Sequence, residues 1–312
     1  MAIDTVKVTV NGTTVDAVSN GNGTYTATLA APNVTSYNVN SGHYYPVTVV
    51  ATNLAGTSTT VDDQTPSIGS SLRLRVKEVT APTVTFVSPL SNQFISTNTP
   101  TIEFWLEDET NGSGIAYDLL QVKLDDMLYR VNSQELRLQD VSGNQTKIHA
   151  ILTPGDNSVG VLEDGVHELE VIVFDNDNNN NSAKIYFTSD TVAPTLNVTN
   201  PNHDTHVNYS TITVTGATND YTSGNPTITI TKNGIDQGSV QVLVDGSFSK
   251  NISLVEGENV LIITATDKAG KTTTIKRTVT VDSSSPVVAS VVINPNPVKV
   301  GKSYVVTINV TG

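Results

Sequence analysis

One pattern recurs along this chain and limits what it can fold into. An alternating apolar strand ends in an Asx-plus-small-residue turn, a second alternating strand returns, and a proline follows. The turns are ATNLAG (Ala51 to Gly56), VFDNDN (Val173 to Asn178) and ATDKAG (Ala265 to Gly270). The spacing is regular: Asp175 to Pro194 and Asp267 to Pro286 are both 19 residues (194 − 175 and 286 − 267). Gly165 and Gly257 each precede their aspartate by 10 (175 − 165 and 267 − 257). Asn53 to Pro82 is longer, 29 (82 − 53), because QTPSIGSS and its flanks extend the hairpin. Self-similarity at a fixed period is the mark of a module array.

Each unit has a direct physical reading. Strict alternation places one set of side chains on each face of a strand. Asp or Asn closes the turn through its side chain, and glycine supplies positive φ. Proline removes a ladder donor and stiffens the chain, which suits a boundary. Boundaries are therefore expected near Val79, Asp190 and Asp282. They give modules over 1–79, 80–190 and 191–282, and a partial fourth unit or strand pair over 283–312. The last segment either begins a further module or packs on the third module or on a partner, since a strand pair alone is marginal in water.

The remaining strands follow the same logic. VKVTV, the turn Asn11-Gly12 and TTVDAV read as a hairpin, with TYTATL as the next strand. ITVTG, TITITK, the turn Asn233-Gly234 and SVQVLV follow in the third module. Leu119 to Asp140 is open to a helical reading, but Val122 and Leu124 alternate and Asp125-Asp126 looks like a turn, so a strand pair is preferred. Short strands with turn signals every few residues indicate an all-β fold of tandem sandwich modules, arranged as an elongated array.

Composition narrows the function classes. The formal net charge of -13 opposes nucleic-acid binding and docking to anionic membranes, because both need an excess of Lys and Arg. There are 0 cysteines, so disulfides, zinc-thiolate sites and thiol catalysis are excluded. The start, MAIDTVKVTVNGTTV, carries no basic-then-apolar leader, and no apolar run has the length of a membrane span. No G-x-S-x-G, phosphate-cradling glycine loop or H-E-x-x-H is present, so no catalytic residue is assigned.

Two groups of residues are candidates for binding. In TIEFWLED, Ile102, Phe104 and Leu106 share one strand face, which places Trp105 on the other with Glu103 and Glu107. An aromatic ring flanked by carboxylates on an outer face can stack a sugar or anchor a partner. The opposing reading is a bulge that buries Trp105 in the core, or a neighbouring module that covers it. The second group is Asp175, Asp177, Asn179 and Asn181, a D-x-D-x-N-x-N run that echoes the start of a calcium loop. It lacks glycine at the sixth position and glutamate at the twelfth, and the plain reading is a solvated Asx turn. Calcium is thus the better cofactor question, beside a transition metal that the imidazoles of His203 and His206 could bind. His203 and His206 flank Asp204 in NPNHDTHVN, where a polar loop is the simpler reading. His167 sits where the next repeat has Asn259 and is expected to close a turn.

The pattern Asp245-Gly246, Phe248, Leu254, Gly257, Asn259 and ATDKAG resembles the glucodextranase-type immunoglobulin-like (Ig-like) repeat. The segment GSGIAYDLLQVKLDD also looks like a bacterial Ig-like module. HYYPVTVVATN and LRLRVKEVTAPTVTF, with the leaderless start, are similar to Ig-like virion proteins of phages of Firmicutes. The resemblance implies a non-enzymatic protein of the virion, in tail, baseplate, fibre or head decoration, assembled in the host cytoplasm. Its implied partners are other virion proteins and host cell-wall or mucus glycans, and a homo-oligomer fits a fibre. A cell-surface adhesin or stalk, and the accessory region of a carbohydrate-active enzyme, are the alternatives.

Overall fold

A computed structural model describes residues 2–154 and 161–312 of the chain. It divides into two compact units, Met1–Ser189 and Asp190–Gly312. Among the described residues the helical content is two three-residue 3-10 turns, Gly69–Ser71 and Tyr117–Leu119. All other regular structure is strand, as β-branched, alternating segments dictate.

Residues 83–189 form a sandwich of two sheets. One has the order Leu136–Asp140, Lys147–Leu152, Ile102–Glu107, Thr83–Ser88. The other has the order Met127–Tyr129, Gln121–Leu124, Gly165–Phe174, Asn180–Ser189, Phe94–Ile95. The inward residues of the first sheet include Ile102, Phe104, Leu106, Ile148 and Leu152. They meet Val122, Leu124, Leu169, Val171, Val173 and Phe187 from the second. The stretch after Leu119 is the strand pair, with Asp125 at φ 51 in its turn.

The second unit repeats this plan. Thr195–Asn200, Thr211–Asn219 and Ser247–Ser253 form one sheet. Thr205–Val207, Thr272–Val281, Gly257–Thr266, Thr227–Lys232 and Ile235–Asp236 form the other. In both sandwiches the first strand splits between the sheets. Thr83–Ser88 pairs in one, and Phe94–Ile95 then adds parallel to Asn180–Ser189 in the other. Thr195–Asn200 and Thr205–Val207 do the same. Pro89 and Pro201 stand at the crossings, where a missing ladder donor is no loss.

The first segment departs from the expected packing. The Asn11-Gly12 hairpin forms, and its strands join Tyr45–Asn53, Ser58–Val61 and Arg73–Leu74 in one sheet. Of TYTATL only Tyr25–Thr26 is strand, paired with Val18–Ser19. Val10 and Tyr45 are the buried hydrophobics before residue 79 among the described residues. The cause is compositional: residues 17–44 are mostly Ser, Asn, Gly, Thr and Ala, too little apolar surface for a second packed sheet.

At the other end, Val287–Asn294 and Val305–Thr311 pair as a hairpin. Every side chain from Asp282 onward is exposed, so this pair is not packed on the third module.

Candidate functional site

The outer face of Ile102–Glu107 carries the aromatic group read from the sequence. Ile102, Phe104 and Leu106 are fully buried, while Trp105 is half-buried on the opposite face with Glu103 and Glu107. The register sets Trp105 beside His149, and the two rings stack at 4.5 Å between centroids. The Lys147 ammonium lies 4.9 Å from the indole centroid and pairs with Glu107. His149 Nε2 is 3.4 Å from Glu103 Oε2. The strip therefore consists of one aromatic stack bracketed by two acid–base pairs.

The Asp175 loop is built differently from a calcium loop of consecutive ligands. The strand Gly165–Phe174 ends at Asp175, whose Oδ1 accepts the N–H of Asn179 at 2.8 Å and whose Oδ2 accepts Asn179 Nδ2 at 2.7 Å. The side chains of Asp177 and Asn181 turn away. Asp177 Oδ2 accepts the Thr35 hydroxyl and the N–H of Glu78. Asn179 Nδ2 also donates to Glu78 O, and Asn181 Nδ2 donates to Pro82 O at 3.1 Å. Lys77 Nζ reaches Asp177 O, and Asn38 Nδ2 reaches Gly112 O at 2.9 Å. These bonds tie the first segment to the following sandwich. Asp175 is only 1% exposed, so its carboxylate is not a solvated one, although Asn178 in the same turn is exposed.

Asp175 instead meets two carboxylates from elsewhere in the sequence. One oxygen each of Glu78, Asp108 and Asp175 lie within 4.8 Å of one another. Glu78 Oε1 accepts the N–H of Ser113 at 2.6 Å, and Asp108 Oδ2 accepts the N–H of Gly114 at 2.7 Å. Burial pushes the Glu78 carboxyl up to about 7, with hydrogen bonding to Glu109 and the charge of Asp108 adding to it against the Ser113 bonds. Burial also raises Asp108, with Asp175 contributing. Gly112 leaves room for the group, since a Cβ there would collide with Asp108 and Glu78.

The second unit builds the same arrangement from Asp190, Asp220 and Asp267, all buried, again within 4.8 Å. Asp267 Oδ1 accepts the N–H of Lys271 at 2.8 Å, the counterpart of the Asp175–Asn179 turn. Asp220 Oδ1 accepts the N–H of Ser223 at 2.7 Å, in a Ser-Gly turn whose Gly224 has φ 76, as Gly114 has φ 85. Sequence reasoning raised only Asp175 of these six as a metal ligand; Asp108 stands in the acidic run Glu107–Glu109 beside a Gly-rich turn, and Asp190 and Asp267 mark a boundary and a repeat turn. The signal was present: an acid stands four residues before each boundary proline (82 − 78 and 194 − 190), and 30 residues before the next aspartate of its group (108 − 78 and 220 − 190).

Among the described residues the histidines form no comparable cluster. His167 is buried with both ring nitrogens engaged, Nδ1 by Asp125 at 2.8 Å and Nε2 by Glu163 O at 2.9 Å. His203 pairs with its neighbour Asp204, both largely exposed. Among the described residues, no helix is long and apolar enough to cross a membrane.

The family described as glucodextranase, domain B, matches residues 194–283, which is the second sandwich. The sandwich over 83–189 repeats the strand plan of the matched region. Bacillopeptidase F of Bacillus subtilis (strain 168) is 31% identical over 133 residues, 42% of this chain and 9% of that protein. The match thus spans under a tenth of that relative's length. Among solved structures, the fibronectin(III)-like modules of Clostridium thermocellum CbhA align over 64% of this chain and 94% of theirs, with TM-score 0.40 and 13% identity. A tetra-tandem repeat from the extending region of a large adhesion protein covers 98% of this chain and 79% of its own, with TM-score 0.32 and 17% identity. At such scores the strand order above, not the alignment, carries the fold.

Proposed function

We propose that the chain is a non-catalytic structural protein whose Ig-like sandwiches hold surfaces at a set spacing. Its setting is the virion surface, in tail, baseplate, fibre or head, beside other virion proteins. The observation that carries the spacing role is the repeated module start. Both sandwiches begin with an acid and a proline four residues apart (82 − 78 and 194 − 190), and each acid is held to the loops of the sandwich it opens. Such an acid–proline start leaves few free residues between modules.

The Trp105 strip, with Glu103 and Glu107, is the surface we assign to weak glycan contact. Many copies on one particle raise the effective concentration of such contacts. A second reading, an accessory region of a carbohydrate-active enzyme, is favoured by the domain-B family match.

Locating the native protein tests this. Purified particles and washed cell walls from a producing culture would be compared by mass spectrometry and antibody-gold electron microscopy. Signal on particles, at one position, is the expected result. Signal confined to walls makes the chain an adhesin segment. Peptides contiguous with a catalytic domain in the culture fluid favour the accessory reading.

A further inference from the structure

We propose that each sandwich binds one divalent cation of the calcium class, held by Glu78, Asp108 and Asp175 in the first unit and by Asp190, Asp220 and Asp267 in the second. The proposal is independent of where the protein is displayed.

Charge is the first argument. Each group gathers three carboxylates whose oxygens lie within 4.8 Å. Among the described residues, no lysine or arginine pairs with Glu78, Asp108, Asp175, Asp220 or Asp267. Buried carboxylates without a compensating charge are strongly unfavourable, and a bound cation removes that penalty.

Orphaned acceptors are the second. The backbone satisfies one oxygen of a carboxylate and leaves its partner bare. Asp267 is 6% exposed, its Oδ1 is bonded to Lys271, and its Oδ2 is buried with no hydrogen-bond partner. Asp108 Oδ1 and Glu78 Oε2 are in the same condition in the first unit. Ser223, 2% exposed, adds a buried hydroxyl without a partner, and its own N–H is bonded to Asp220. Buried polar atoms in folded proteins are nearly always satisfied, so several orphans gathered on the same carboxylate groups point to a missing ligand.

Repetition is the third. The two groups arise from different stretches of sequence, yet each joins the residue four before a boundary proline, an aspartate 30 residues on (108 − 78 and 220 − 190), and the aspartate that opens the last hairpin. The remaining interval differs, 67 against 47 (175 − 108 and 267 − 220), because the first sandwich carries extra chain around the strand pair. The geometry survives that difference. The donors are all oxygen, without histidine or cysteine, which suits a hard cation and disfavours zinc or copper. Calcium accepts loop-borne carboxylates in a flexible shell at about 2.3–2.6 Å, whereas magnesium holds its waters and demands strict octahedral geometry. The cation would join the acid at the head of each module to the two loops it faces.

The test is calorimetry on the full chain after EDTA treatment, titrated with calcium chloride alone and, separately, with magnesium chloride. We expect two calcium equivalents and upward shifts of both unfolding transitions. Asp267→Asn should remove one equivalent and the calcium shift of the second unit only. Asp175→Asn should do so for the first, and each lost site should weaken at least about 100-fold. Melting in EDTA reports whether a variant folds, and Asp220→Asn and Glu78→Gln serve where it does not. Absence of calcium heat and of any transition shift at millimolar calcium would overturn the proposal. So would binding that persists in the double variant, which marks diffuse attraction to an acidic surface. Equal affinity for magnesium would overturn the calcium assignment.

Discussion

Asn259 and His167 occupy the same position in the two sandwiches, two residues after Gly257 and Gly165, and each donates a side-chain N–H to the carbonyl four residues back. Asn259 Nδ2 reaches Val255 O at 2.7 Å and His167 Nε2 reaches Glu163 O at 2.9 Å. Asn259, fully buried, also bonds Gly257 O and Val279 O, and its Oδ1 accepts the N–H of Val255. Asn259→Ala would strand these groups in the core. We expect it to destabilise the second unit by about 2–4 kcal/mol and to leave the first unchanged, which calorimetry resolves as one displaced transition.

Gly216 is set by the aromatic ring opposite it. It faces Phe248 across the register, and a Cβ there would lie 2.6 Å from Phe248 Cζ and against Asn197 O. Phe248 is a core residue, so it cannot withdraw without opening the sandwich. Gly216→Ala should cost about 1–3 kcal/mol by chemical denaturation. Adding Phe248→Leu should recover only the share of that loss due to the ring, because the backbone oxygen of Asn197 lies nearer to the methyl and stays.

Glu168 gives the first unit a pH dependence of known sign. Its carboxyl is held below the usual glutamate range by hydrogen bonds from Lys184 at 2.6 Å and Tyr186 at 2.8 Å. A lowered folded-state pKa contributes stability that is fully present above the unfolded value near 4.5 and is lost as pH falls through the folded value. The group is exposed, so the effect is small and screened by salt. The urea midpoint of the native chain should fall between pH 5 and pH 3 more steeply than that of Glu168→Gln, at about 20 mM salt.

Much of this architecture is legible in the alternation of side chains. Ile102, Phe104 and Leu106 declare one face, and Trp105 falls on the other because the strand keeps its alternation and its register against Lys147–Leu152, the shift against Thr83–Ser88 lying between Glu103 and Phe104. The Asp125-Asp126 turn and the Asn11-Gly12 hairpin follow from local chemistry, since few residues tolerate those φ values. The carboxylate groups were harder to read. Asp175 stood out in an acidic run, but its companions lie 97 and 67 residues away (175 − 78 and 175 − 108). Only the strand order brings them together. Asp177, adjacent to it in the same run, faces Thr35 of the preceding segment instead. The single sheet of the first segment was likewise hidden, because turn signals show where strands end and not whether enough apolar surface exists to pack a second layer.

Trp105 is tied to its own sheet before it meets any ligand. Its stack on His149 and the Lys147 ammonium over the ring together contribute about 1–2 kcal/mol. Trp105→Ala should therefore lower the stability of the first unit by about that amount. If the strip contacts glycans, it should also abolish retention of the full chain on immobilised wall polysaccharide. Retention unchanged by Trp105→Ala would move the contact elsewhere.

Passive spacing requires that each sandwich fold and yield as a separate element. Pulling the full chain by its ends in a force spectrometer tests this directly. Two discrete high-force events are expected, one for each of the sandwiches at 83–189 and 195–281. At about 3.6 Å per extended residue, each releases on the order of 300–400 Å of chain. The exposed hairpin and the first segment should extend at low force. A single merged event, or featureless extension throughout, would contradict the account of independent spacing modules.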